Sequence, residues 1–113
     1  MTNRQRCLAY LRAYEQKNLA AIAAMFADDI VLRDWKIFVR GKGAALAETA
    51  NNFAAAKSIE IQPLALYDNG DAVAAELKIV VDGEIELYVV DVLSFSPTGQ
   101  IQSIRAYLGR GDA

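Results

Sequence analysis

Three side chains carry most of the chemistry this sequence can offer. From Ile85 to Phe95 alternate residues read Ile85, Leu87, Val89, Asp91, Leu93 and Phe95, so a strand there sets one carboxyl in an otherwise apolar row. Ionising a carboxyl among aliphatic neighbours costs solvation energy, and Asp91 is therefore expected to keep its proton towards neutral pH and act as a hydrogen-bond donor. A second carboxyl, Asp34, shares a side with Ile30 and Leu32 if the segment IVLRDW is extended. Lys36 has the same parity and is a candidate ion-pair partner for Asp34 should that strand continue. A neutral carboxyl, an ionised carboxyl and a tyrosine hydroxyl suffice to move a proton beside a carbonyl group. Periodicity leaves two tyrosines open for the third role, because Tyr10 and Tyr14 lie one helical turn apart.

The elements that must position these groups follow from composition and period. Asn3 to Phe26 is rich in Ala, Leu, Arg and Gln without Gly or Pro, which predicts two helices broken at Asn18, a good N-cap. Ile22, Met25 and Phe26 then share one face of the second helix. Lys42 to Ala56 reads as a third helix with Leu46, Ala50 and Phe53 as its inner stripe. From Lys57 onward the period becomes two, with turns at Asp68-Asn69-Gly70, Asp82-Gly83 and Ser96-Pro97-Thr98-Gly99, hence four strands joined by hairpins. On the last strand Ile104, Ala106 and Leu108 form the apolar face while Arg105 and Tyr107 point away. Helices first and a meander afterwards predict an α+β layer fold whose curved sheet wraps the helices and leaves a cavity at one end. Besides the three polar groups, Tyr14, Met25, Leu32, Leu93, Ile104, Ala106 and Leu108 are expected to line it.

Bulk properties narrow the function. A chain of 113 residues that is 54% hydrophobic fits one domain, taken as residues 1–113. The net charge of -2 comes from 12 basic and 14 acidic side chains scattered along the chain, which offers no basic face to nucleic acid. With no histidine, mechanisms that use imidazole drop out; with Cys7 alone there is no internal disulfide or zinc cluster, so neither metal nor cofactor is expected. The most apolar stretch, Leu19 to Ala27, is too short to span a bilayer, and a soluble cytoplasmic protein is expected. An outer sheet face carrying Tyr88, Val90 and Val92 would suit a homodimer.

Tyr10, Asn18-Leu19, Ile22, Phe26-Ala27-Asp28-Asp29 and Asp34 stand in a gapless register that resembles the first segment of bacterial ketosteroid isomerases, within the NTF2-like and SnoaL-like superfamily. Val90-Asp91, Phe95, Gly99, Ser103, Arg105-Ala106 and Leu108-Gly109 continue the likeness in order. The resemblance implies a cystatin-like, NTF2-like roll with three N-terminal helices in a curved, mostly antiparallel sheet around a cone-shaped pocket. It also implies that Tyr10 and Asp91 hold an enolate oxygen while Asp34 shuttles the proton, and its register selects Tyr10 over Tyr14. This chain departs from those enzymes in three places. The segment from Trp35 to Arg40 is shorter, Thr49 stands where a supporting tyrosine is expected, and Val73 to Val81 supplies aliphatics in place of phenylalanines. A small apolar molecule, smaller than a steroid, is the expected ligand. Two alternatives accompany the isomerase reading. A non-catalytic module that binds a hydrophobic ligand or only dimerises should show an Asp34–Lys36 ion pair or a collapsed pocket. A polyketide cyclase-like enzyme would need room for a multi-ring substrate.

Overall fold

The computed structural model describes residues 1–112. Its first helix, α1 (Asn3–Glu15), starts with a reciprocal cap in which the Gln5 N–H donates to the Thr2 hydroxyl at 3.1 Å and the Thr2 N–H donates to the Gln5 side chain at 2.8 Å. At its other end the Asn18 N–H donates to the Ala13 carbonyl and the Lys17 N–H to that of Tyr14, a Schellman arrangement. Lys17 takes the left-handed conformation (φ 55°) that glycine usually supplies there. That backbone costs about 1–2 kcal/mol, and its ammonium, donating to the carbonyls of Ala56 and Lys57, ties the end of α1 to the segment after the third helix. Asn18 then accepts from the Ala21 N–H at 3.1 Å and caps α2 (Leu19–Met25), so a single residue closes one helix and opens the next.

The remaining elements are β1 (Phe26–Arg33), β2 (Phe38–Arg40), α3 (Lys42–Ala55), β3 (Ile59–Asp68), β4 (Ala72–Val81), β5 (Ile85–Phe95) and β6 (Ile101–Leu108). They form one six-stranded sheet in the order β2-β1-β6-β5-β4-β3, parallel between β1 and β6 and antiparallel elsewhere. The strand β2 escapes a periodicity reading because it is only three residues long; it exists through pairing with Val31, Leu32 and Arg33. The inner stripe of α3 is Ala45, Thr49 and Phe53, with Leu46 and Ala50 at its flank, so the helix is turned by about one residue from the expected face. Register shifts interrupt β1 between Phe26 and Val31, β3 between Pro63 and Ala65, and β5 between Ser94 and Phe95. Such irregularities bend strands, and they let this sheet curve around the helices.

The helix α1 packs on β3 and β4, and α3 lies over β1. The tightest packing joins Cys7, Ile22, Phe26 and Ile30 to Val73, Leu93 and Ile101, all essentially inaccessible to solvent. At the sheet edge the Glu15 carboxylate accepts the Ile61 N–H at 2.8 Å, and Pro63 follows two residues later. Among the described residues no helix is long and apolar enough to cross a membrane.

The double duty of Asn18 predicts that Asn18→Ala lowers the unfolding free energy by about 1 kcal/mol, while Asn18→Ser stays close to wild type. Urea denaturation of both variants measures this; equal losses would mean that the cap is not what Asn18 contributes.

Candidate active site

The sheet is divided crosswise. Over one end the helices pack solidly; over the other they part and enclose a cavity of about 310 Å³. Its floor is aliphatic, from Ile59 and Ile61 on β3, Ile79 and Val81 on β4, Leu87 and Val89 on β5, and Ile104 on β6. Tyr10 and Tyr14 of α1 and Thr49 and Asn52 of α3 also line it, and the loop from Asp34 to Ile37 forms its rim.

Asp91 interrupts the apolar floor. Its carboxyl makes no hydrogen bond within the described residues and opens onto the cavity. By accessible surface the residue is only half-buried, because it borders that space, yet it lies deep inside the protein envelope. Burial first, and the charge of Asp34 second, push its pKa from the usual 3.8 up to about 7. At neutral pH much of the carboxyl therefore keeps a proton to donate.

Tyr10 is 4% exposed, its ring set against Phe26 at 6.2 Å and Tyr14 at 5.9 Å. Its hydroxyl also lacks a partner among the described residues and reaches the cavity. Burial above all, then Tyr14, Asp91 and Cys7, drives its pKa well above that of a free phenol, so the group remains an O–H donor.

Asp34 lies one residue beyond β1, in a tight turn. Its Oδ1 accepts from the N–H groups of Lys36 at 2.7 Å and Ile37 at 2.9 Å, and its own N–H donates to the Ile37 carbonyl at 3.0 Å. Oδ2 is left without a partner among the described residues. Since the strand stops at Arg33, the parity that placed Lys36 beside the Asp34 carboxylate does not hold. Lys36 is exposed at the rim and forms no ion pair with Asp34; among the described residues the one ion pair joins Lys78 and Glu86 on the outer face.

All three polar candidates thus border one cavity, as do Tyr14, Leu32, Ile104 and Ala106. Three expected lining residues do not. Leu93 is wholly buried in the packed end, two residues past Asp91. Met25 borders a separate groove with Gly99 and Ile101 at that same end. Leu108 is 48% exposed, three residues past the point where β1 ends opposite Arg105. Parity identifies the face of a strand but not how far along it a cavity extends.

Sequence reasoning missed Ile59, Ile61 and Asn52. The two isoleucines were findable from the period-two pattern of β3, whereas Asn52 is marked only by lying three residues after Thr49 on one helix face. Thr49 itself donates its hydroxyl to the Ala45 carbonyl at 2.8 Å within α3. Lys36 is the single basic residue among those lining the cavity. Among the described residues no cluster of cysteine and carboxylate side chains is arranged to ligate a metal ion.

With this geometry in hand, comparison with known proteins is informative. The sequence profile of the SnoaL-like domain matches residues 8–104. A steroid Δ-isomerase of Nocardioides simplex is 36% identical over 108 residues, covering 91% of this chain and 86% of that protein. The epoxide hydrolase/cyclase-like enzyme SalBIII of salinomycin pyran-ring formation superposes with a TM-score of 0.83 at 23% identity, over 95% of this chain and 90% of its own. An NTF2-like protein of unknown function from Cytophaga hutchinsonii gives 0.82 at 15% identity, over 96% and 91%. At those identities the two structures establish a shared NTF2-like α+β fold.

The raised pKa of Asp91 makes a stability prediction. The folded state binds the proton more tightly than the unfolded chain, so this residue costs nothing below about pH 4, costs progressively more as pH rises, and exerts its full cost above about 7. Asp91→Asn should therefore match wild type at pH 4 and exceed it at pH 8 by roughly 2–4 kcal/mol. Denaturation curves at both pH values test this; a pH-independent difference between the two proteins would mean that Asp91 titrates normally.

Proposed function

The chain belongs to the SnoaL-like domain family and has a steroid Δ-isomerase homologue, and on that footing we propose that it transfers a proton next to the carbonyl of a compact apolar substrate. The observation that carries this reading is the Asp91 carboxyl, unpartnered among the described residues and with its pKa raised to about 7, in the wall of a cavity that the Tyr10 hydroxyl and Asp34 also border. Asp34 Oδ2 takes a proton from the carbon beside the carbonyl, and the C–H electron pair flows into an enolate. Asp91 and Tyr10 donate hydrogen bonds to the enolate oxygen, where charge develops away from bulk water. Asp34 then returns the proton to another carbon of the conjugated system, so the double bond moves and no cofactor is consumed.

Two features favour this over the alternatives. The cavity is open and Asp34 is free of Lys36, contrary to what a non-catalytic module was expected to display. Its 310 Å³ lies at the small end of ligand sites, which suits a mono- or bicyclic ketone better than a multi-ring polyketide. We also propose that a second copy covers the outer sheet face, where Val90 and Tyr107 are exposed. Strand register puts Arg33, Arg40 and Arg105 on one half of that face, and Glu60, Glu76 and the Lys78–Glu86 ion pair on the other, which leaves a net negative half to meet a positive one in a two-fold arrangement.

Conversion of an unconjugated bicyclic ketone and of an unconjugated 3-ketosteroid to their conjugated isomers, followed by absorbance, tests the chemistry. The bicyclic ketone should turn over faster, Asp34→Asn should lower its rate by about 10²–10⁴-fold, and Tyr10→Phe by roughly 10²-fold. Equal rates in wild type and Asp34→Asn would remove Asp34 as the base. For the assembly, sedimentation should report a dimer in wild type and a monomer in Val90→Asp; a monomeric wild type would refute it.

A further inference from the structure

Tyr14 borders the cavity, and the proposed chemistry leaves it unused. Edge-on contacts with Phe53 (4.9 Å between centroids) and Tyr10 (5.9 Å) fix its ring. Asn52 Nδ2 donates to its hydroxyl oxygen at 3.0 Å. Because the amide is the donor in that bond, the phenol keeps its own proton, which has no acceptor among the described residues. The hydroxyl is raised in pKa, by burial first, and it lies within reach of the charges of both Asp91 and Asp34, whereas Tyr10 responds to Asp91 alone of the two. Tyr14 stands one helical turn beyond Tyr10 on α1, and its hydroxyl is tied to α3 by Asn52, a contact that Tyr10 lacks.

A carbonyl oxygen has two lone pairs, and in the proposed reaction Asp91 and Tyr10 use both. A third oriented donor in the same space needs another acceptor. We infer that the Tyr14 hydroxyl, aimed by Asn52, recognises a second oxygen on the substrate, whose class is then a compact apolar carbonyl compound bearing a further hydroxyl, ether or carbonyl group. Tyr14 is the specificity-determining donor and Asn52 its positioning residue. The inference rests on the proton-transfer reading, since that reading assigns the other two donors. It also agrees with the exposure of Asn52, which puts this second oxygen towards the cavity mouth.

Fluorescence titration with 2-naphthol, a flat bicyclic phenol with one oxygen, and with a set of dihydroxynaphthalenes tests it. Wild type should bind at least one dihydroxy compound roughly three- to tenfold more tightly than 2-naphthol. Tyr14→Phe should abolish that gain and leave 2-naphthol affinity within about twofold, and so should Asn52→Asp, whose carboxylate would take the phenol proton. No gain in wild type, or equal weakening of both probes in the variants, overturns the inference and leaves the proton-transfer reading standing. Binding of 2-naphthol that is indifferent to Asp91→Ala and Tyr10→Phe overturns that reading, and this inference with it.

Discussion

Helices too short for their sheet are the constraint on which the rest depends. An 11-residue strand such as β5 runs to about 36 Å, whereas the 13 residues of α1 span about 20 Å. Helical cover over the whole inner face is thus out of reach. Packing one end densely, with Ile22 and Phe26 pressed on Val73 and Leu93, leaves the other end roofed by scattered side chains of α1 and α3. The boundary falls on β5 between Asp91 and Leu93, one strand repeat apart: one side chain opens on a void and the other is sealed.

Placing a carboxyl at that boundary sets the electrostatics. Asp91 has aliphatic neighbours and no donor among the described residues, so ionisation is opposed by lost solvation and by the charge of Asp34. Asp34, at the rim, has two backbone N–H groups on one oxygen and the other left open. The two groups share a chemistry but not an environment. One sits on a strand whose alternation sets it in an apolar wall; the other sits in a turn that supplies its own donors. A folded chain that keeps an unpaired carboxyl in such a wall gives up stability above neutral pH, a cost expected where a site is built for binding or catalysis rather than for packing.

Much of this was legible in the sequence because it is local. The break at Asn18, the three hairpin turns and the face carrying Asp91 each depend on a few neighbouring residues, and all stand where their patterns put them. What escaped depends on how elements meet. Met25, Leu93 and Leu108 have the right parity or helical face but the wrong position along the cavity axis, which only the lengths and crossings of α1, α3 and β1 determine. Lys36 seemed tied to Asp34 because period two was extended past the residue where pairing with β6 stops. Asn52 carries no mark of function at all, being an exposed residue on an Ala-rich helix until Tyr14, 38 positions away in sequence, is folded against it.

The contact between Glu15 and the Ile61 N–H reaches beyond the site. The strand β3 is the longer of the sheet's two margins, and a margin with unpaired amides invites a strand from another molecule to add on. Here a helix carboxylate occupies one of those amides, Pro63 lacks one altogether, and the register shift at Leu64 spoils the regular repeat that an incoming strand would need. On this side the curved sheet offers an incoming strand no regular row of free amides. The same contact that anchors α1 to the sheet thus also blunts the strand next to the open, greasy interior as a template for pairing.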